Sequence, residues 1–167
     1  MSSKTALNIS VITVSDTRTP DTDRSGNVLA QRLQDAGHRL HSRCIIKDDI
    51  YQLRAEVSAQ IANPDVHAIL MTGGTGFTAR DNTLAAIKPL LDLDIEGFGE
   101  LFRQISYTEI GSSTVQSRAF AGISNGSIIF CLPGSPGACE TGWDKIIAEQ
   151  LNSNHKPCNF TDKLKLD

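Results

Sequence analysis

A short apolar run, Ala68, Ile69, Leu70 and Met71, stops abruptly at Thr72-Gly73-Gly74-Thr75-Gly76. Apolar side chains at every position of so short a run fit a strand buried on both faces, as in a parallel sheet covered by helices. Three glycines among two threonines then free the backbone for positive φ, and no Cβ keeps a ligand from the main-chain amides. In an open α/β sheet the crevice at the carboxyl ends of the strands is where ligands bind. Glycines alone would equally suit a plain tight turn. Asp81 stands at the far edge of the loop.

The flanking sequence repeats the strand-then-helix rhythm. Residues 8–15 are β-rich and end in a polar loop to Gly26, too long for a simple βα connection. Ser25 is placed to cap a helix in which Leu29, Leu33 and Ala36 recur, with Gly37 as its stop. An extended run over 39–46 delivers the chain to Lys47-Asp48-Asp49. Ile50, Leu53, Val57 and Ile61 then trace one helical face, closed by Asn63-Pro64. Capping that helix needs one aspartate, which leaves the other free.

After the glycine loop, Asn82 or Thr83 opens a helix that Pro89 shortens, and 92–96 reads as a linker. A further amphipathic helix runs from Gly97 to near Gly111. Residues 119–124 and 127–132 pair across Asn125-Gly126, a strong hairpin signal. The second hairpin strand ends in Pro133-Gly134-Ser135-Pro136, where Ser135 as cap and Pro136 at the first helical position start the last helix. From about residue 152 the periodicity ends, and the segment to 167 reads as a surface tail. The sum is one α/β domain over 1–167: three layers, a mainly parallel sheet, and an antiparallel hairpin at its edge.

A formal net charge of -3 over 167 residues gives no field for wrapping nucleic acid. No apolar run approaches a membrane span, and Met1-Ser2-Ser3-Lys4-Thr5 offers no secretory apolar segment, so a cytoplasmic protein without membrane contact is expected. The four cysteines and four histidines show no metal-type spacing.

The chemistry must then come from four polar segments at strand ends. Two supply main-chain donors. The others bring Asp16, Asp48 and Asp49, and Asp81 closes the third segment. Carboxylates repel a phosphate unless a hard cation lies between them, and Mg²⁺ held by one or two carboxylates plus substrate phosphates resolves the conflict. That kit suits phosphoryl or nucleotidyl transfer. A Walker A loop is excluded because no lysine follows the glycines. Gly74-x-Gly76-x-x-Ala79 meets the loose dinucleotide pattern, but on the third strand and with Arg80-Asp81 where a helix should open.

Taken together, Thr72-Gly73-Gly74-Thr75-Gly76, Arg80-Asp81-x-Thr83, Glu96-Gly97-Phe98-Gly99-Glu100, Ser117-Arg118 and Leu132-Pro133-Gly134-Ser135-Pro136 resemble the molybdopterin-binding family. That family includes bacterial molybdenum cofactor biosynthesis proteins and the G domain of gephyrin. The similarity runs from Asn8 to about Leu151. It implies a three-layer domain that assembles as a trimer or hexamer. It also implies adenylylation of molybdopterin by Mg-ATP with release of pyrophosphate, and contacts with other proteins of molybdenum cofactor biosynthesis. By the same resemblance Asp48 and Asp81 are the catalytic and Mg²⁺-binding acids. Asp16, Thr72, Gly73, Gly74, Thr75, Gly76, Ser117, Pro133, Gly134 and Ser135 line the pterin and nucleotide pocket, with Glu100 nearby. Where family members carry a proline after the Arg-Asp-x-Thr motif, this chain has Leu84, and both acids stay in place. A molybdopterin carrier or assembly subunit without catalysis is the alternative that the resemblance leaves open.

Overall fold

The computed structural model describes residues 3–166; Met1, Ser2 and Asp167 lie outside it. Strands β1 (Asn8–Val14), β2 (Arg39–Ile46), β3 (Ala68–Thr72), β4 (Leu93–Asp94), β5 (Phe120–Ser124) and β6 (Ser127–Leu132) form one sheet in the order β2-β1-β3-β6-β5-β4. The first four in that order run parallel, and β5 and β4 add antiparallel pairings. The hairpin is therefore internal to the edge. The expected linker over 92–96 contributes the two-residue outermost strand.

Strand alternation divides the core into two layers. Ile9, Val11, Ala68, Leu70, Ile128, Phe130 and Leu132 face one side, against α1 (Arg24–Asp35), α4 (Glu96–Ile110) and α5 (Pro136–Gly142). Ile12, Val14, Ile69, Met71, Ile129 and Cys131 face the other, against α2 (Ile50–Ala62) and α3 (Thr83–Ile87). Period-two alternation with apolar residues on both faces is what a central parallel sheet demands. After α5 the last helix continues through a π-helical turn, Trp143–Ile147, into Ala148–Gln150.

Capping decides where the loops point. Asp49 caps α2, accepting from Tyr51 N and Gln52 N. Ser135 caps α5 and accepts from Ala138 N. The cap of α1 is Asp23, which accepts from Gly26 N, and not Ser25. Buried Asp23 also accepts from Thr13 Oγ1 at 2.9 Å and pairs with Arg43 at 2.8 Å. Three partners outweigh the single bond that a serine cap would make. Ser25 is thereby released, and its Oγ donates to Gly134 O.

Opposite the carboxyl ends of the parallel strands, the tail closes the other pole. Leu164 and Thr161 are buried, Lys165 N donates to Gly126 O, and Lys165 Nζ donates to Ile61 O. Among the described residues no helix is long and apolar enough to cross a membrane.

One core group is chemically costly. His38 is 4% exposed, its Nδ1 accepts from Leu7 N, and its Nε2 has no hydrogen-bond partner among the described residues. Burial, helped by the charge of Lys4, pushes the imidazole down to about 4. The unfolded chain then binds the proton more readily than the folded one. Stability is expected to be fully present above about pH 6.5 and to fall by up to about 3 kcal/mol toward pH 4. Urea unfolding across that window should lose most of this slope in His38→Asn, with a smaller part remaining from His67, which burial also lowers.

Candidate functional site

The first glycine-rich loop leaves β3 beside the last residue of β6. Gly73 N donates to Leu132 O at 3.0 Å, and Thr72 Oγ1 donates to Pro133 O at 2.8 Å. Gly73 has φ +103 and Gly74 φ +69, and a Cβ on Gly73 would lie 2.3 Å from Val14 O. Only glycine meets both conditions at these positions. On the far side Thr83 ties the loop down, its N–H donating to Gly74 O and its Oγ1 to Gly73 O. This accounts for a threonine two residues beyond Asp81.

Both expected acids lie against this loop. A Cβ added to Gly74 would stand 2.9 Å from Asp48 Oδ2, and one on Gly76 would stand 2.8 Å from Asp81 Oδ2. With Asp49 committed to its cap, Asp48 is free to turn inward, where it accepts from Asn82 N at 2.9 Å. Asp16 reaches the same place from the loop after β1, accepting from Asp48 N at 3.1 Å and from Arg80 Nε and Nη2 at 2.9 and 2.7 Å. These acids, Gly73, Gly74, Thr75, Gly76, Ser117, Pro133, Gly134 and Ser135 line one cavity of about 490 Å³.

Two expected residues are placed elsewhere. Thr72 is fully buried and faces the α5 layer, where it accepts from Cys139 Sγ at 3.2 Å. Strand alternation gives it the same side as Leu70, where it lines an adjoining polar cleft with Asp23, Ser25 and Gly134. Glu100 is exposed on α4 and lines the adjoining groove with Arg103 and Arg118, while Ser117 borders both spaces. The opposite wall holds residues that the sequence reading did not single out as ligands. These are Ser106 and Ile110 of α4, with Ser113 and Gln116 of a 3₁₀ segment, Gly111–Gln116. Ser113 and Gln116 fall in a polar run over 112–118, whereas Ser106 and Ile110 carry no such local signal.

The three acids occupy different electrostatic states. Burial holds Asp48 above the usual carboxylate range, and the neighbouring Asp81 and Asp16 add to this against the lowering bonds from Asn82. Burial also acts upward on Asp81, but bonds from Thr78 Oγ1 and Thr78 N, the nearby Gly76 amide and the charge of Arg118 bring it below its ordinary value. The Arg80 guanidinium and the Asp48 amide lower Asp16. Among the described residues no three His, Cys, Asp or Glu side chains converge as a complete metal cage. Two carboxylates beside amide-rich loops fit Mg²⁺ instead, since that ion keeps water and substrate phosphate as its other ligands.

An open α/β sheet with paired glycine-rich loops and acids at its carboxyl mouth defines a doubly wound domain whose ligand crevice lies at those strand ends. The family model described as "Probable molybdopterin binding domain" matches residues 10–153, and this chain belongs to that family. Molybdenum cofactor biosynthesis protein B of Escherichia coli is 49% identical over 157 residues, covering 94% of this chain and 92% of that protein. Its Bacillus cereus namesake is 46% identical over 142 residues, 84% of each chain. The crystal structure of a molybdenum cofactor biosynthesis protein B superposes with a TM-score of 0.87 at 44% identity, covering 90% of this chain and 94% of that one. The tungsten cofactor synthesizing protein MoaB from Pyrococcus furiosus gives 0.77 at 37% identity, covering 86% and 92%.

The contrast between the acids has a measurable consequence. Asp48→Asn removes a desolvated charge while keeping an acceptor for Asn82 N. Its urea midpoint at pH 7 is expected to equal or exceed that of the wild type. Asp81→Ala strands the Thr78 donors and should cost about 1 kcal/mol.

Proposed function

We propose that this protein acts in molybdenum cofactor biosynthesis by transferring the adenylyl group of ATP to molybdopterin, releasing pyrophosphate. The observation that carries this reading is the meeting of Asp48, Asp81 and two glycine-rich loops in one cavity. The names of the relatives, all tied to molybdenum or tungsten cofactor synthesis, support the pathway. The site chemistry supports the reaction.

In this reading N–H groups of the first loop beyond Gly73, and those opened by the bend at Gly134 and Ser135, donate to the phosphates of two anionic substrates. An oxygen of one substrate displaces pyrophosphate from the α-phosphorus of the other, so the residues' task is to align attack and leaving group and to exclude water. Asp48 and Asp81 would hold Mg²⁺, and what the ion supplies when bound is neutralisation of charge between carboxylates and phosphates. Asp48 suits this role because its burial leaves the ionised form poorly solvated and eager for a counter-charge. Self-association as a trimer or hexamer, as in the family, is part of the same proposal.

The test is pyrophosphate release on incubation with molybdopterin and Mg-ATP. Wild type should turn over. Asp48→Asn and Asp81→Ala should each lose at least about a hundredfold in kcat while still binding the pterin. Pterin binding without pyrophosphate release by wild type would establish the carrier role instead.

A further inference from the structure

One side chain grips the outer surface of the loop that carries Asp81. Arg118 stands two residues before β5, and both its backbone N–H and its Nε donate to Thr75 O at 3.3 Å. Its Nη2 donates to Gly76 O, and to Asp81 O at 3.1 Å. The guanidinium carbon lies 4.8 Å from the ring centre of the exposed Phe77, so the loop also covers one face of the cation. Carbonyls from three residues of a glycine-rich loop thus converge on a single planar group. A lysine, as a point charge, could not span them.

The consequence reaches the acids through peptide geometry. In a trans peptide the C=O and the following N–H point in opposite directions within one rigid plane. Pinning Thr75 C=O outward therefore aims Gly76 N–H the other way, and the Asp81 carboxylate lies against that same residue, 2.8 Å from where a Gly76 Cβ would stand. Pinning Asp81 C=O likewise aims Asn82 N–H inward, where it donates to Asp48 Oδ1 at 2.9 Å. Two peptide planes connect one cation, outside the cavity lining, to both acids within it.

We infer that Arg118 is a positioning residue for the proposed adenylyl transfer, setting the orientation of Asp81 and Asp48 through the Thr75–Gly76 and Asp81–Asn82 peptides. The inference rests on the adenylyltransferase reading for its kinetic consequences, and on the loop geometry alone for its structural ones. Without the clamp, Asn82 N–H is free to turn away from Asp48.

Arg118→Ala and Arg118→Lys test this against wild type, with hydrogen exchange at the amides of 76 and 82 beside pyrophosphate release measured over Mg²⁺ concentration. In Arg118→Ala, exchange at those two amides should rise at least about tenfold, with β3 and β6 unchanged. The value of kcat should fall about 10- to 100-fold, with KM for the pterin held within about threefold. More Mg²⁺ should be required, and millimolar guanidinium should restore part of the rate. Arg118→Lys should recover little of it, and this variant gives the same readings should the alanine form not fold. Unchanged exchange at 76 and 82, or loosened amides with the wild-type Mg²⁺ requirement and kcat, would overturn the inference. If wild type releases no pyrophosphate, the adenylyltransferase reading is what fails, and the exchange measurement alone then decides whether the clamp exists.

Discussion

The parallel pairing of β3 with β6 is the constraint on which the mouth of the sheet depends. Its register sets Thr72 opposite Leu132, so the two glycine-rich loops depart from the same level and on the same side. Gly73 N then completes the ladder by donating to Leu132 O, and Thr72 Oγ1 crosses to Pro133 O. The Cys139 thiol, held protonated by burial that pushes it up to about 11, donates in turn to Thr72. A short chain of hydrogen bonds thus joins the last helix, the central strand and both loops. Slipping this register by one residue would invert every side chain of β3 and part the two loops together.

Three aspartates share the mouth, and their surroundings give each a separate character. Asp16 is exposed and neutralised by Arg80. Asp81 is bound by hydroxyl and amide donors of its own loop. Asp48 is buried beside the other two, in the least comfortable position for a charge. A protein selected for stability alone would have little reason to keep an aspartate there. The proposed function would account for it, and the well-satisfied cap of Asp49 next door shows how differently two adjacent acids are placed.

Much of this was legible in the residues themselves. Apolar runs at 68–71 and 128–132, the Asn125-Gly126 turn and the Ser135-Pro136 helix start are local signals, and local physics wrote them. The separation of Asp48 from Asp49 was legible as a surplus, since one cap needs one acid. Asp23 was not, because its advantage over Ser25 comes from Thr13 and Arg43, partners that only the folded sheet delivers. The strand at Leu93–Asp94 has too few residues for any pattern and exists because β5 offers it an edge. Thr72 followed its motif neighbours on paper, yet strand alternation turned it away from them. Glu100 entered by resemblance, and its position on the exposed side of α4 puts it in the next groove. Arg118 as a loop clamp was not legible, because the carbonyls of Thr75, Gly76 and Asp81 come alongside it only in the folded chain.

The closing of the far pole by the tail has a practical side. Lys165 is bonded to the Asn125-Gly126 turn and to the end of α2, at the amino ends of the parallel strands, a full strand length from the acids. Immobilised on a sensor chip through residues near 166, the molecule would present its crevice to the flow and its least reactive surface to the support.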